Sequence, residues 1–307
     1  MENFGYERIL VPTDMSDFAD QAIRYASLLR RQLGSRITLL YADETYFPVD
    51  VLEIPLGYYL EQAPETKAKL QEKLREHARE HFPDEQIETM VLQDSPARAI
   101  VHAAKEMNAD LVVMGTHGRR GWRRALLGSV TETVLHEIDR PVITVTPNIF
   151  RGGADPAIRK IVCPVNFTYI ARESLHHASA MAMAFDAELH VIYVAEGVQP
   201  PQLPEVEAAF SLWVDPGIRG RVKYTLSIVG MGDPAERVLT AASDIDADLM
   251  VIGAQHKFFS DATVIGTTTQ RITRFARCPV MTIVRKPRME IDVTEKVPEV
   301  DEELVSV

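Results

Sequence analysis

Cysteine is nearly missing from this 307-residue chain, with only Cys163 and Cys278 present. Neither stands in a metal-type spacing, and both fall in apolar segments that read as buried strand or strand edge. A reduced, cytoplasmic setting is therefore expected. Long hydrophobic runs are also missing. None reaches the roughly 18 residues that a bilayer-spanning helix needs. The opening MENFGYERIL has neither the basic start nor the apolar centre of a secretory leader. Positive charge is in deficit: 33 Lys and Arg against 44 Asp and Glu leave a net charge of −11. That balance argues against nucleic acid or an anionic membrane surface as a partner. The P-loop pattern G-x-x-x-x-G-K-[ST] and the dinucleotide pattern G-x-G-x-x-G do not occur, and no Ser/His/Asp or Cys/His set declares itself.

What the chain does contain is itself twice. Arg8-Ile-Leu-Val-Pro-Thr-Asp-Met-Ser16 aligns with Lys160-Ile-Val-Cys-Pro-Val-Asn-Phe-Thr168, an offset of 152. Ala109-Asp-Leu-Val-Val-Met-Gly115 aligns with Ala247-Asp-Leu-Met-Val-Ile-Gly253, and Arg140 to Val145 with Cys278 to Ile283, both at 138. The fall from 152 to 138 places 14 extra residues in the first half, between about Glu44 and Gln86. The expected divisions are 1–147 and 157–286, a linker at 148–156 with Gly152-Gly153 at its centre, and an acidic tail at 287–307.

Each half alternates strands and helices. In the first, strands are expected at Arg8 to Pro12, Arg36 to Ala42, Gln86 to Leu92, Leu111 to Met114 and Pro141 to Val145. Ser16 reads as the N-cap of a helix that stops at Gly34. Pro64 reads as the start of a charged helix running to about Phe82, and Ser95-Pro96 as the cap of a third. The last helix is expected at Ser129 to Glu137. This alternation predicts an α/β fold with a parallel sheet covered on both faces. Ligands of such sheets bind outside the C-terminal strand ends at the switch point, where Asp14 and Gly115 both fall.

The segment from Gly115 carries the chemistry. It reads Gly115-Thr-His-Gly118, nine residues, then Gly128-Ser129. The glycines let backbone approach a ligand closely. Arg119, Arg120, Arg123 and Arg124 lie between them with no carboxylate. Ser129-Val-Thr-Glu132 fits a capping box at a helix N-terminus, which favours an anion. Asp14 is placed to accept hydrogen bonds from ribose hydroxyls.

This pattern, G-x2-G-x9-G-[S/T] after an apolar fourth strand with Pro12-Thr-Asp14 closing the first, resembles the universal stress protein family, and the chain is similar to its tandem-domain members over about residues 4–147 and 157–286. The resemblance implies two five-stranded, Rossmann-like domains of the adenine nucleotide α-hydrolase type, forming a pseudo-dimer within one chain. It implies binding of ATP or another adenine nucleotide, with any Mg²⁺ carried by the nucleotide. Pro12, Thr13 and Asp14 would contact the adenosine, and Ala42 would line the base pocket. Met114, Gly115, His117 and Gly118 would wrap ribose and phosphates. Gly128, Ser129, Val130 and Thr131 would bind phosphates through N–H and hydroxyl groups. Family members dimerise through their last strands, so Pro141–Val145 and Pro279–Ile283 are expected to pair, within the chain or in a homodimer.

The second half departs from the pattern. Asp14 becomes Asn166, Gly118 becomes His256, and the four arginines are replaced by a loop, Lys257 to Ile265, of zero net charge. His256 is expected to crowd the site and to resist its backbone angles, while Thr267-Thr-Thr-Gln270 keeps a capping box. One nucleotide per chain is the expectation. Regulatory binding with little or no turnover, a nucleotide-free scaffold or chaperone-like role, and slow ATP hydrolysis or autophosphorylation at Ser129 or Thr131 all fit this sequence. A further pattern, His77-Ala-Arg-Glu-His81, matches H-x-x-E-H. It lies in a helix dense in charge with no third ligand in view, so it is expected to be solvated surface rather than a metal centre.

Overall fold

The computed structural model describes residues 5–44, 56–83, 86–116, 127–147, 149, 156–195, 201–230, 232–259 and 262–285. Most of the expected linker and the whole acidic tail lie outside the described residues. The first half runs β1 (Arg8–Pro12), α1 (Asp17–Leu33), β2 (Arg36–Asp43), α2 (Leu56–His81), β3 (Glu88–Gln93), α3 (Pro96–Glu106), β4 (Leu111–Gly115), α4 (Ser129–Glu137) and β5 (Val142–Val145). The second runs β6 (Lys160–Val165), α5 (Tyr169–Phe185), β7 (Glu188–Val194), α6 (Leu203–Trp213), α7 (Pro216–Arg219), β8 (Tyr224–Val229), α8 (Pro234–Asp244), β9 (Leu249–Phe259), β10 (Ala262–Ile265), α9 (Thr267–Phe275) and β11 (Val280–Arg285).

The repeat extends to element ends and backbone angles. Helices α1 and α5 start and stop 152 residues apart, and α4 and α9 start and stop 138 apart. Ser16 caps α1 by accepting from the Ala19 amide, and Thr168 caps α5 by accepting from Ala171. The left-handed residues Met15 and Asn108 recur as Phe167 and Asp246. Gly34 stops α1 at φ 71°, where the left-handed turn suits a residue without Cβ.

One helix start differs from expectation. Helix α2 begins at Leu56, and Pro64 lies inside it. Leu56, Tyr59, Leu60 and Ala63 follow helical spacing up to the proline. A proline inside a helix costs about 3 kcal/mol and one backbone bond, which does not by itself terminate it.

The strand order is β3-β2-β1-β4-β5-β11-β9-β6-β7-β8, with β10 paired to β9. Within each half the five main strands are parallel, as expected. The halves join through β5 and β11, which pair antiparallel with Ile143 opposite Met281. The apolar last strands thus cover one another's edges. One hydrophobic core, with Ile9, Leu29, Ile143, Ile161, Leu175 and Met281 among its members, runs beneath the junction. Polar contacts pin it on both faces: Gln32 Nε2 donates to the Ala184 carbonyl at 2.6 Å, and Gln270 Nε2 to Glu132 Oε1 at 2.6 Å.

Tyr6 and His177 meet under the same seam, with Tyr6 Oη and His177 Nδ1 2.6 Å apart. Burial, reinforced by neighbouring His176, lowers the His177 pKa from 6.5 to about 4. The unfolded chain therefore takes up a proton that the folded chain refuses. The associated stability is present above pH 6.5 and is lost as pH falls from 6.5 towards 4, an effect of about 3 kcal/mol. Urea denaturation from pH 7.5 to 4.5 should show this loss, and His177→Gln should flatten the pH dependence by that amount. An unchanged slope in the variant would remove His177 as its source.

Candidate functional site

Strands β1 and β4 are neighbours, with Ile9 opposite Leu111, and the chain order reverses between them. Their C-terminal ends form the crevice in which α/β sheets bind ligands. Pro12 ends β1 half-buried. Thr13 is buried, its amide donating to the Leu40 carbonyl at 2.8 Å and its Oγ1 accepting from the Met15 amide at 2.9 Å. Asp14 is half-buried on this turn. Its Oδ1 accepts from Ser16 N at 3.1 Å and from Ser16 Oγ at 2.5 Å. Ser16, which the motif reading passed over, thus both caps α1 and orients Asp14. Ala42 is half-buried near the end of β2, the neighbour of β1 on the other side.

Met114 and Gly115 close β4. The Met114 side chain lies in the core with Leu10, Val112 and Val134, so its backbone is what remains for a ligand. Gly115 offers its carbonyl to Thr131 Oγ1, which donates at 3.1 Å. Thr116 links β4 to α4: its amide donates to Val145, and its carbonyl accepts from Gly128 N at 3.0 Å. A Cβ on Gly128 would stand 2.6 Å from that same carbonyl, so this close approach requires glycine. The strand end and the helix start are clamped together by these bonds.

The clamp alters the reading of α4. Its N-cap is Gly128, with no side-chain cap bond, and Ser129 is the exposed first helical residue. The capping box expected at Ser129 does not form, because the Gly128–Thr116 bond fixes the helix start one residue earlier. Glu132 instead accepts from Gln270. In the second half Gly266 caps α9 in the same way, so the box expected at Thr267 is not formed either. The first intrahelical bond of α4 runs from Glu132 N to Gly128 O, leaving the amides of Ser129, Val130 and Thr131 ahead of it. Val130 is half-buried against the core. The Thr131 hydroxyl is committed to Gly115, so its amide is the group that remains without an intrahelical partner. His117, Gly118 and the four arginines lie outside the described residues.

The second half builds the same frame and finishes it differently. Thr168 Oγ1 donates to Asn166 Oδ1 at 2.7 Å, repeating the Asp14 turn, and Thr269 Oγ1 donates to Gly253 O at 3.1 Å, repeating the clamp. Strand β9, however, runs on to Phe259 and folds back through β10, with His256 opposite Ile265. His256 therefore sits in extended backbone rather than at a position that resists its angles, because a hairpin has replaced the loop. At the ends of β6 and β7, Phe167 packs on Tyr193 and Trp213 with ring centres 5.1 and 5.4 Å apart. Arg172 lies over the Trp213 ring at 5.5 Å.

Two other expectations are resolved by packing. Cys163 and Cys278 are free and buried, and burial pushes the Cys278 thiol up to about 12, leaving it unreactive. His77 and His81 are not solvated surface: their side chains are 11% and 19% exposed and face Asp20 of α1. That third residue lies 57 positions upstream of His77, where no local pattern could show it. Among the described residues, no helix is long and apolar enough to cross a membrane.

Compared with models of protein families, the chain matches the universal stress protein family over residues 5–146 and 219–284. Universal stress protein MJ0531 of Methanocaldococcus jannaschii is 33% identical over 141 residues, covering 46% of this chain and 82% of that protein. Universal stress protein Slr1230 of Synechocystis is 23% identical over 296 residues, covering 90% of this chain and 99% of its own length. Among solved structures, a universal stress protein of Archaeoglobus fulgidus superposes with a TM-score of 0.67 at 21% identity, covering 92% of this chain and 97% of its own. The repeat, the switch-point crevice and these matches along the chain agree: it belongs to the universal stress protein family.

Proposed function

We propose that the first half binds one adenine nucleotide, ATP by preference, as a regulatory ligand that is turned over slowly or not at all, and that the second half is its pairing partner without a nucleotide site. The boundary between them is proposed at 148–156. The observation that carries this reading is the difference between two copies of one frame. Both copies keep the turn, the glycine cap and the threonine clamp. Only the first joins them to an aspartate and a loop with four arginines.

In this reading the ribose hydroxyls donate to Asp14, which Ser16 holds in place. The base lies against Ala42, with Pro12 and Thr13 forming the floor. The phosphates meet the amides of Ser129, Val130 and Thr131 at the positive end of α4, with Gly115, Gly128 and the Met114 backbone allowing close approach. His117, Gly118 and the arginines are proposed as further phosphate and ribose contacts. In the second half, Asn166 carries no charge, a hairpin occupies the motif segment, and Trp213 packs on Phe167 just after β6. Hydrolysis would need a group that positions water at the terminal phosphate.

Calorimetric titration of the purified chain with ATP, with and without Mg²⁺, should give one site, and the denatured protein should release nucleotide if it was purified loaded. Absence of both results would favour the scaffold reading. Asp14→Asn copies a residue that already holds the same turn in the second half, so folding should be kept while ATP affinity falls about tenfold. Gly118→His should abolish binding, and unchanged affinity in either variant would refute the motif argument. Gly128→Ala should destabilise the fold by about 1–3 kcal/mol in urea denaturation, because the added methyl meets backbone rather than a movable side chain.

A further inference from the structure

His77 and His81 stand four residues apart on α2, so they share one face of the helix. Their rings meet edge to face with centres 4.8 Å apart. Asp20, in the first turn of α1, reaches both: its Oδ1 lies 3.0 Å from His77 Nε2 and 3.4 Å from His81 Nε2. One ligand atom from each of the three lies within 4.8 Å of the other two. All three side chains are largely buried.

The contact is unsatisfied as a hydrogen bond. Asp20 Oδ1 and His77 Nε2 are both buried and face each other at 3.0 Å as an ion-pair contact, without the geometry of a hydrogen bond. Leaving buried polar atoms unpaired is unfavourable, and a cation shared between them would satisfy both. The spacing suits one. Ligand atoms held at 2.0–2.1 Å around a tetrahedral ion stand about 3.3 Å from one another, and the two measured separations lie on either side of that value. Outward from the cluster, Glu80 Oε2 lies 3.6 Å from His77 Nδ1.

We propose that Asp20, His77 and His81 form a binding site for a first-row divalent cation, with Zn²⁺ the best match, and that the fourth position is open to water. Two imidazoles and one carboxylate are a donor set that Zn²⁺ and Co²⁺ accept and that Mg²⁺ and Ca²⁺ do not favour. The bound ion would tie the end of α2 to the start of α1, six residues beyond Asp14. The site stands independently of the nucleotide reading.

The test uses the full chain, stripped of metal with a chelator and titrated with Co²⁺ and then Zn²⁺. The expected result is one saturable site per chain, visible absorption of four-coordinate Co²⁺ that Zn²⁺ displaces, and a melting temperature raised by several degrees on Zn²⁺ addition. Asp20→Asn and His81→Gln should each remove the site while keeping the far-ultraviolet circular dichroism of the parent. If His81→Gln fails to fold, the near-isosteric Asp20→Asn decides. His102→Gln, an exposed histidine on α3, should bind as the parent does. No saturable binding, or binding that survives unchanged in Asp20→Asn, would overturn the proposal.

Discussion

The antiparallel pairing of β5 with β11 is the interaction on which the rest of this molecule depends. Each half is a parallel sheet whose last strand is apolar and would be exposed at its edge if the half stood alone. An edge of that kind invites pairing with any other strand. By pairing with its own copy, the chain covers both of these edges and makes the core on one face of the sheet continuous across the halves. The approximate two-fold relation of the halves follows. Gln32 meets Ala184, 152 residues on, and Glu132 meets Gln270, 138 residues on, because each pair is one position seen twice.

That symmetry separates what the fold needs from what a ligand needs. A feature present in both copies is explained by folding whether or not a ligand binds. The glycine cap of α4 and α9, the threonine that clamps each to a strand end, and the left-handed turn after β1 and β6 all belong here. They resemble a phosphate-binding apparatus, yet the copy in which Trp213 packs on Phe167 and whose motif segment is a hairpin keeps every one of them. In the proposed reading, specificity therefore rests on the residues that differ: Asp14 against Asn166, Gly118 against His256, and four arginines against a neutral segment. The duplicated architecture frees one copy to lose its charges without loss of the seam.

Much of this was legible in the sequence. The order of elements in the first half, the limits of β1 and α4, and the Ser16 and Gly34 caps follow from apolar periodicity and end signals, which are local, while the strand pairing at the seam comes from the resemblance to the family. The features that escaped are those set by partners distant in the chain. Ser129 and Glu132 have the spacing of a capping box. Thr116 fixes the helix start at Gly128, however, and the other half claims Glu132. Pro64 has the look of a first-turn proline, but the residues before it already keep helical spacing. His77 and His81 sit among charges in the sequence, and only the packing of α1 beside α2 shows that the face they share is turned inward.

Charge also explains why a protein with a net charge of −11 can be read as a receptor for a polyanion. Net charge acts through the long-range field, which salt screens beyond about 10 Å. A bound phosphate instead feels the groups it touches, and helix-end amides together with nearby guanidinium groups act at contact distance in a partly desolvated crevice. The acidic balance therefore bears on how fast an anion arrives, and the local frame on how firmly it is held. Much of the acidic excess belongs to the last 21 residues, which carry seven carboxylates and two basic side chains and lie beyond the second half. In the proposed reading, holding the ligand would depend on a few residues at the end of β1 and the start of α4, and the overall charge does not count against that reading.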